Sequence, residues 1–259
     1  MSKNRSLPYL PVVTHFTKKL DHDIQVYGPQ KAMHNALMRS GTKLTIIGQT
    51  KKIANILKTK PVVIIANHPF EAETFALRAA LPHRFDQYMI VTSSMLGLGE
   101  NIDKYLIPVY IRHHNQPKNK RPSILGKFMD WFHPVPIYSP QIEHEKNIES
   151  INHASKIITQ GGSIIIFPGR RSETGHWFPG IGHMIKNIGR TEAYVINARV
   201  AGTSDLDYLR LLPGVGKFLP TITVTFSGAI KIQEINSGQP KDITQRLEEL
   251  YTNWEKRIK

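Results

Sequence analysis

Five consecutive apolar residues, VVIIA, occupy positions Val62–Ala66, and most of them have β-branched side chains. A short run of this kind, bounded by polar and turn-forming residues, is typical of a strand buried on both of its faces. Strands buried in this way belong to sheets that are covered by helices on both sides. The run therefore predicts an α/β fold.

The rest of the chain alternates between strand-like and helix-like segments. Further strands are predicted at 41–48 (an edge strand), 87–92, 105–112, 163–168, 193–201 and 221–227. Helices are predicted at 31–40, 51–57, 70–81, 141–160 and 242–257. In the segment 141–160, helical spacing predicts one apolar face made of Ile148, Ile151, Ala154 and Ile158.

This alternation predicts a mostly parallel central sheet flanked by helices in a single α/β domain. We expect residues 1–40 to form a short N-terminal helical lead-in and residues 41–235 to form the main domain. An amphipathic C-terminal helix within 236–259 is expected to pack on the same domain.

The chain is strongly basic: 34 Lys and Arg against 20 Asp and Glu give a formal net charge of +14. Such an excess predicts attraction to nucleic acid, to an anionic membrane surface or to a phosphorylated substrate. A nucleic-acid binder is expected to show a known module or an interleaved basic and aromatic stripe. The sequence shows neither, so no nucleic-acid partner is predicted.

The sequence contains no cysteine, which excludes disulfides, thiolate nucleophiles and cysteine-based zinc sites and fits a reducing cytoplasm. The histidines show no zinc spacing such as HExxH, so no metal site is predicted. The longest purely apolar run is 62–66, whereas a membrane-spanning helix needs about 20 residues. We therefore expect contact with a membrane, if any, at its surface.

The turn that follows the run 62–66 carries a candidate base. Asn67, His68 and Pro69 come directly after the strand, and a helix is predicted next. Ligands of open α/β sheets bind at the carboxyl ends of strands, where a histidine can act as a base near neutral pH. A carboxylate partner would fix its tautomer, and Glu71 and Glu73 are both available. Either glutamate is equally compatible with a purely structural role at the helix start.

A second strand, in the segment GGSIIIFPGRRSETG at 161–175, also ends in a turn that carries charged residues. Arg170 and Arg171 follow its Pro-Gly pair, and the planar guanidinium group suits the oxygens of a phosphate. A surface turn with solvated arginines is the alternative. Two such turns in one sheet favour a shared site.

These motifs, in this order, resemble those of the lysophosphatidic acid acyltransferase family, the glycerolipid acyltransferases marked by a His-x4-Asp motif. NHPFEAE stands where that family has NHxSxxD, so His68 matches the base and Glu73 matches the aspartate. YLIPVYIRH is similar to the second block, FPGRRSETG to the third, written FPEGTRS, and VINARVAG to the fourth. The resemblance covers roughly residues 41–232. It implies substrate-binding roles for Arg112, Gly169, Arg170, Arg171 and Ser172.

The resemblance implies transfer of a fatty acyl chain from acyl-CoA or acyl carrier protein to a hydroxyl of a lysophospholipid-like acceptor. It implies no cofactor beyond that co-substrate, no metal, and a cytoplasmic protein that associates peripherally with an anionic membrane surface. Two departures from the pattern, glutamate for aspartate at Glu73 and the loss of the FPEG glutamate, leave an alternative. It is a catalytically inactive homologue that binds lipid or phosphate at membrane surfaces.

Overall fold

The computed structural model describes residues 11–68, 72–110, 138–169, 177–189 and 191–258. These residues contain a sheet of seven strands in the order β1-β7-β6-β2-β5-β3-β4. Each neighbouring pair is parallel except β6 and β7, which are antiparallel. The prediction of a mostly parallel sheet is therefore confirmed. The strands are β1 Leu44–Ile47, β2 Val62–Ala66, β3 Gln87–Thr92, β4 Leu106–Val109, β5 Ser163–Ile166, β6 Tyr194–Ala201 and β7 Ile222–Lys231.

Helices cover both faces of this sheet. In the described residues they are α1 Pro11–Tyr27, α2 Pro29–Ser40, α3 Lys51–Thr59, α4 Ala72–Ala80, α5 Glu100–Asp103, α6 Pro140–Thr159, α7 Gly180–Ile188 and α8 Pro240–Ile258. Two 3₁₀ segments, Asp205–Leu211 and Val215–Phe218, lie between β6 and β7. Within these described elements, no helix combines the length and the apolar character needed to cross a bilayer.

The central strand β2 shows why the sheet needs two helical layers. Val63 and Ile65 belong to a core cluster with residues of α6, α7 and α8. Val62, Ile64 and Ala66 belong to a second cluster with residues of α3 and α4. Because successive strand residues point to opposite faces, all five positions of β2 are buried. The prediction of a strand buried on both faces is confirmed.

Helices α6 and α7 differ from the predicted elements. Ile148 is 47% exposed, although Ile151, Ala154 and Ile158 are buried. At about 100° per residue, Ile148 lies about 90° from the mean direction of the other three, at the margin of the apolar face. The short helix α7 was not predicted, because only nine residues, several of them glycine or polar, form it.

The topology places the two candidate turns side by side. Strands β2 and β5 are parallel neighbours, with Val62 opposite Ser163 and Ile65 opposite Ile166. Their carboxyl ends therefore open at one edge of the sheet, which we call the carboxyl edge. Residues 67–68 and 167–169 lie at this edge.

Candidate active site

Asn67 is the first residue after β2, and its side chain extends the pairing of β2 with β6. Its Oδ1 accepts a hydrogen bond from the backbone N–H of Val200 at 2.7 Å. Its Nδ2 donates to the backbone carbonyl of the same residue at 2.9 Å. This double contact fixes the direction in which the chain leaves the sheet at His68.

The structure brings His68 into direct contact with Glu73. The His68 Nδ1 lies at hydrogen-bond contact with the Glu73 Oε1. Glu73 lies in the first turn of α4 and its side chain is fully buried. A carboxylate can only accept a hydrogen bond, so the contact places the imidazole proton on Nδ1 and leaves Nε2 as the nitrogen that can take up a proton.

The other surroundings of His68 are apolar on one side and open on another. Its ring lies 5.1 Å from the ring of Phe167, which follows β5. The side chain remains 30% exposed. The imidazole is therefore held by a carboxylate and an aromatic ring while still reachable from outside.

The segment that follows β5 is described up to Gly169, which pairs with Trp177 in an isolated antiparallel bridge. The backbone N–H of Phe178 donates to the Pro168 carbonyl at 2.9 Å, which closes the base of this loop. Gly169 thus lies at the carboxyl edge, as His68 does. Four predicted substrate-binding residues lie outside the described residues: Arg112, Arg170, Arg171 and Ser172.

A mostly apolar pocket of about 130 Å³ opens beside the first turn of α4. Ala72 and Phe75, on either side of Glu73 in α4, contribute to its wall, with residues of α1, α2 and the segment 204–211. Sequence patterns did not indicate this pocket. Its walls come from four separated parts of the chain, and their apolar residues resemble ordinary core positions.

The arrangement at His68 has the components of general-base catalysis. A carboxylate on Nδ1 orients an imidazole and stabilises the imidazolium that forms when Nε2 accepts a proton, as in serine hydrolases. The geometry can therefore activate a hydroxyl group placed near Nε2.

Comparison of the sequence with models of known protein families and with curated proteins gives no match. The structure is similar to the crystal structure of the 1-acyl-sn-glycerophosphate (LPA) acyltransferase, PlsC, from Thermotoga maritima. The match has a TM-score of 0.53, 12% sequence identity, and covers 95% of each chain. The two proteins share a fold over nearly their whole length.

Proposed function

We propose that this protein is an O-acyltransferase that moves a fatty acyl chain from an acyl thioester to a hydroxyl of a lysophospholipid-like acceptor. The observation that carries the proposal is the contact between His68 and buried Glu73 at the carboxyl end of a central strand. The shared fold with PlsC supports the same reaction class.

In the proposed reaction, His68 acts as the general base. Its Nε2 takes the proton of the acceptor hydroxyl while the hydroxyl oxygen forms a bond to the thioester carbonyl carbon. The carbon–sulfur bond then breaks, and the leaving thiolate receives the proton from the imidazolium. The products are an ester and a free thiol. Glu73 stabilises the imidazolium between the two proton transfers.

Two groups of residues are proposed to hold the substrates. Arg112, Arg170, Arg171 and Ser172, with Gly169, are expected to bind a phosphate or another anionic group, because guanidinium groups and N–H donors suit its oxygens. The apolar pocket beside α4 is proposed to take part of the acyl chain, since its wall includes Ala72 and Phe75 next to Glu73. The donor is acyl-CoA or acyl carrier protein.

The partner surface is proposed to be an anionic membrane, contacted at the carboxyl edge. Five large apolar side chains between β6 and β7 are exposed, and we call them the 206–218 surface. They are Leu206, Tyr208, Leu209, Leu212 and Phe218. This connection joins the carboxyl end of β6 to β7, so it lies at the same edge as His68. Exposed apolar side chains on a protein with a +14 charge favour shallow insertion at an anionic lipid surface.

The alternative is an inactive homologue that binds lipid or phosphate at the membrane. It is motivated by Glu73 in place of aspartate and by the missing glutamate in FPGRRS. Contact between Glu73 and His68 favours the active enzyme, because the longer side chain reaches the imidazole.

Release of free thiol from acyl-CoA and from acyl carrier protein, across a panel of lysolipids, tests the proposal. His68→Ala is expected to lower turnover by about 10²–10⁴-fold. His153→Ala, at an exposed position of α6, is the matched control and should retain activity. Undiminished thiol release by folded His68→Ala would overturn the mechanism. Lysolipid binding by the parent protein without thiol release would identify the inactive homologue.

A further inference from the structure

The end of the ladder between β2 and β6 is held by more than the pairing of the two strands. Ala66 and Ala198 are the last paired residues of these two strands. Asn67, the first residue of the turn that carries His68, follows Ala66 directly. The turn carrying His68 thus begins where the ladder ends.

A side chain from the C-terminal helix reaches this point. The Tyr251 hydroxyl donates a hydrogen bond to the Ala198 carbonyl at 3.0 Å. Tyr251 lies on α8, is buried, and is separated from Ala198 by 53 positions in the sequence. A hydroxyl group therefore contacts the last residue of β6 that pairs with β2.

The electrostatic surroundings of Tyr251 keep this hydroxyl protonated. Burial raises the pKa of Tyr251 well above its usual value, and the Glu255 carboxylate raises it further. Arg199 and the backbone N–H of Asn67 lower the same pKa by a smaller amount. The backbone N–H of Asn67, directly after β2, therefore interacts with the phenol oxygen that contacts Ala198 of β6.

Aromatic and charged contacts fix the ring of Tyr251 in this position. Its ring centroid lies 5.6 Å from that of Trp177 and 5.6 Å from that of Trp254, and both ring pairs are packed edge to face. Arg199, next to Ala198 in β6, contacts Glu255 of α8 at 3.2 Å. Helix α8 is thus attached to β6 at two adjacent residues, Ala198 and Arg199.

We propose that Tyr251 is a positioning residue for His68. Its hydroxyl links the end of β2 to Ala198, the last residue of β6 that pairs with β2. With the Asn67–Val200 contacts, this link sets the turn so that His68 Nδ1 meets Glu73. The inference deepens the proposed function, since it assumes His68 as the base. It assigns to the C-terminal helix a role in the geometry of a site formed mainly by residues more than 170 positions earlier in the sequence.

Tyr251→Phe tests this proposal because it removes only the hydroxyl group. The first measurement is the NMR resonance of the His68 Nδ1 proton, which a carboxylate partner shifts far downfield. The resonance is assigned by its loss in His68→Ala. In Tyr251→Phe we expect it to move upfield and broaden. We also expect a fall in kcat for thiol release of roughly 10- to 100-fold, since a catalytic group displaced by about 1 Å can cost ~100-fold, with little change in KM.

Tyr194→Phe is the matched control, because it also removes a hydroxyl from a hydrogen bond, at the opposite end of β6. The Tyr194 hydroxyl donates to Glu192 at the surface. This variant should leave the resonance and kcat unchanged. Asn67→Ala removes both side-chain hydrogen bonds to Val200 and should also shift the resonance of the His68 Nδ1 proton.

The two measurements separate this inference from the proposed function. If the parent protein releases no thiol from any donor, a shifted resonance in Tyr251→Phe still supports the positioning role. An unchanged resonance in folded Tyr251→Phe overturns it, whether or not the protein is an acyltransferase.

Discussion

At the scale of single residues, the most informative feature is the length of the Glu73 side chain. The resemblance to the His-x4-Asp family left it open whether glutamate at this position would preserve the contact with the histidine. The structure has Glu73 buried in the first turn of α4 and in contact with His68. The extra methylene is therefore used to span the distance between α4 and the imidazole.

Glu73→Asp is predicted to lower turnover by roughly 10- to 100-fold, because shortening the side chain withdraws the carboxylate from Nδ1 by about 1 Å. Glu73→Gln should be at least as slow, since an amide does not stabilise an imidazolium as a carboxylate does. Thiol-release kinetics measure both variants, and Glu71→Gln is the control. Activity of Glu73→Asp equal to that of the parent would show that the longer side chain is merely tolerated.

At the scale of elements, one arginine joins the segments at the amino ends of the parallel strands, which we call the amino edge of the sheet. Buried Arg84 donates to the backbone carbonyls of Leu57, Lys60 and Gly161 at 2.7–3.1 Å. It also holds Asp86 in a two-pronged ion pair, at 2.7 and 2.8 Å. These contacts join the end of α3, the turn before β5 and the start of β3.

Asp86→Asn is predicted to destabilise the protein at neutral pH but not in acid. Hydrogen bonds from Arg84 hold the pKa of Asp86 below its usual value. A carboxylate with a lowered folded-state pKa adds stability above its unfolded pKa and loses it as the pH falls through the folded value. Because Asp86 is half-exposed, the effect should be below about 1 kcal/mol.

Urea unfolding of the parent and of Asp86→Asn at a series of pH values measures this difference, with Asp205→Asn as an exposed control. The difference in the free energy of unfolding between parent and variant should disappear as the pH falls below the usual pKa range of aspartate. A gap that stays constant with pH would mean that the charge of Asp86 does not contribute.

The pocket between α1, α2 and α4 is also a property of packed elements. If it holds the acyl chain, filling it should restrict chain length. Ala36→Leu, in the pocket wall on α2, is predicted to lower kcat/KM for long chains relative to short ones by roughly 10-fold or more. Met38→Leu, at an exposed position of the same helix, is the control. An unchanged chain-length profile in a stably folded Ala36→Leu would exclude this pocket as the acyl site.

At the scale of the whole molecule, the two edges of the sheet present different surfaces. The 206–218 surface lies at the carboxyl edge with His68. Phe85 is also exposed, but it precedes β3 and therefore lies at the amino edge. A membrane-bound enzyme should meet the bilayer with the edge that carries its site.

Phe218→Ser is predicted to weaken binding to anionic vesicles by about 10-fold or more, because a phenylalanine that enters the lipid contributes about 1.5–3 kcal/mol. Phe85→Ser should bind as the parent does. Co-sedimentation with vesicles measures both, and high salt should release the protein, since charge contributes to the contact. Equal binding to neutral and anionic vesicles, or an equal loss in both variants, would contradict this orientation.

Local sequence patterns determined much of this protein. The run 62–66 predicted a strand buried on both faces, because β-branched apolar residues of that length fit a covered sheet. The alternation of strands and helices predicted the mostly parallel sheet. His68 stood out because it follows a buried strand, and the substrate-binding roles of Arg112, Arg170, Arg171 and Ser172 remain predictions.

Only the tertiary structure decided which groups meet at His68. The turn pattern alone left Glu71 and Glu73 both available, and the family resemblance matched Glu73. The packing of the turn against the start of α4 sets the actual contact between His68 and Glu73. Tyr251 carried no sequence signal, because a tyrosine on an amphipathic helix is a common core residue. Its hydroxyl meets Ala198 because α8 packs on the face of the sheet. Periodicity indicates which face of an element is buried. Contacts between distant segments depend on how the elements pack against each other, and local sequence patterns do not contain this information.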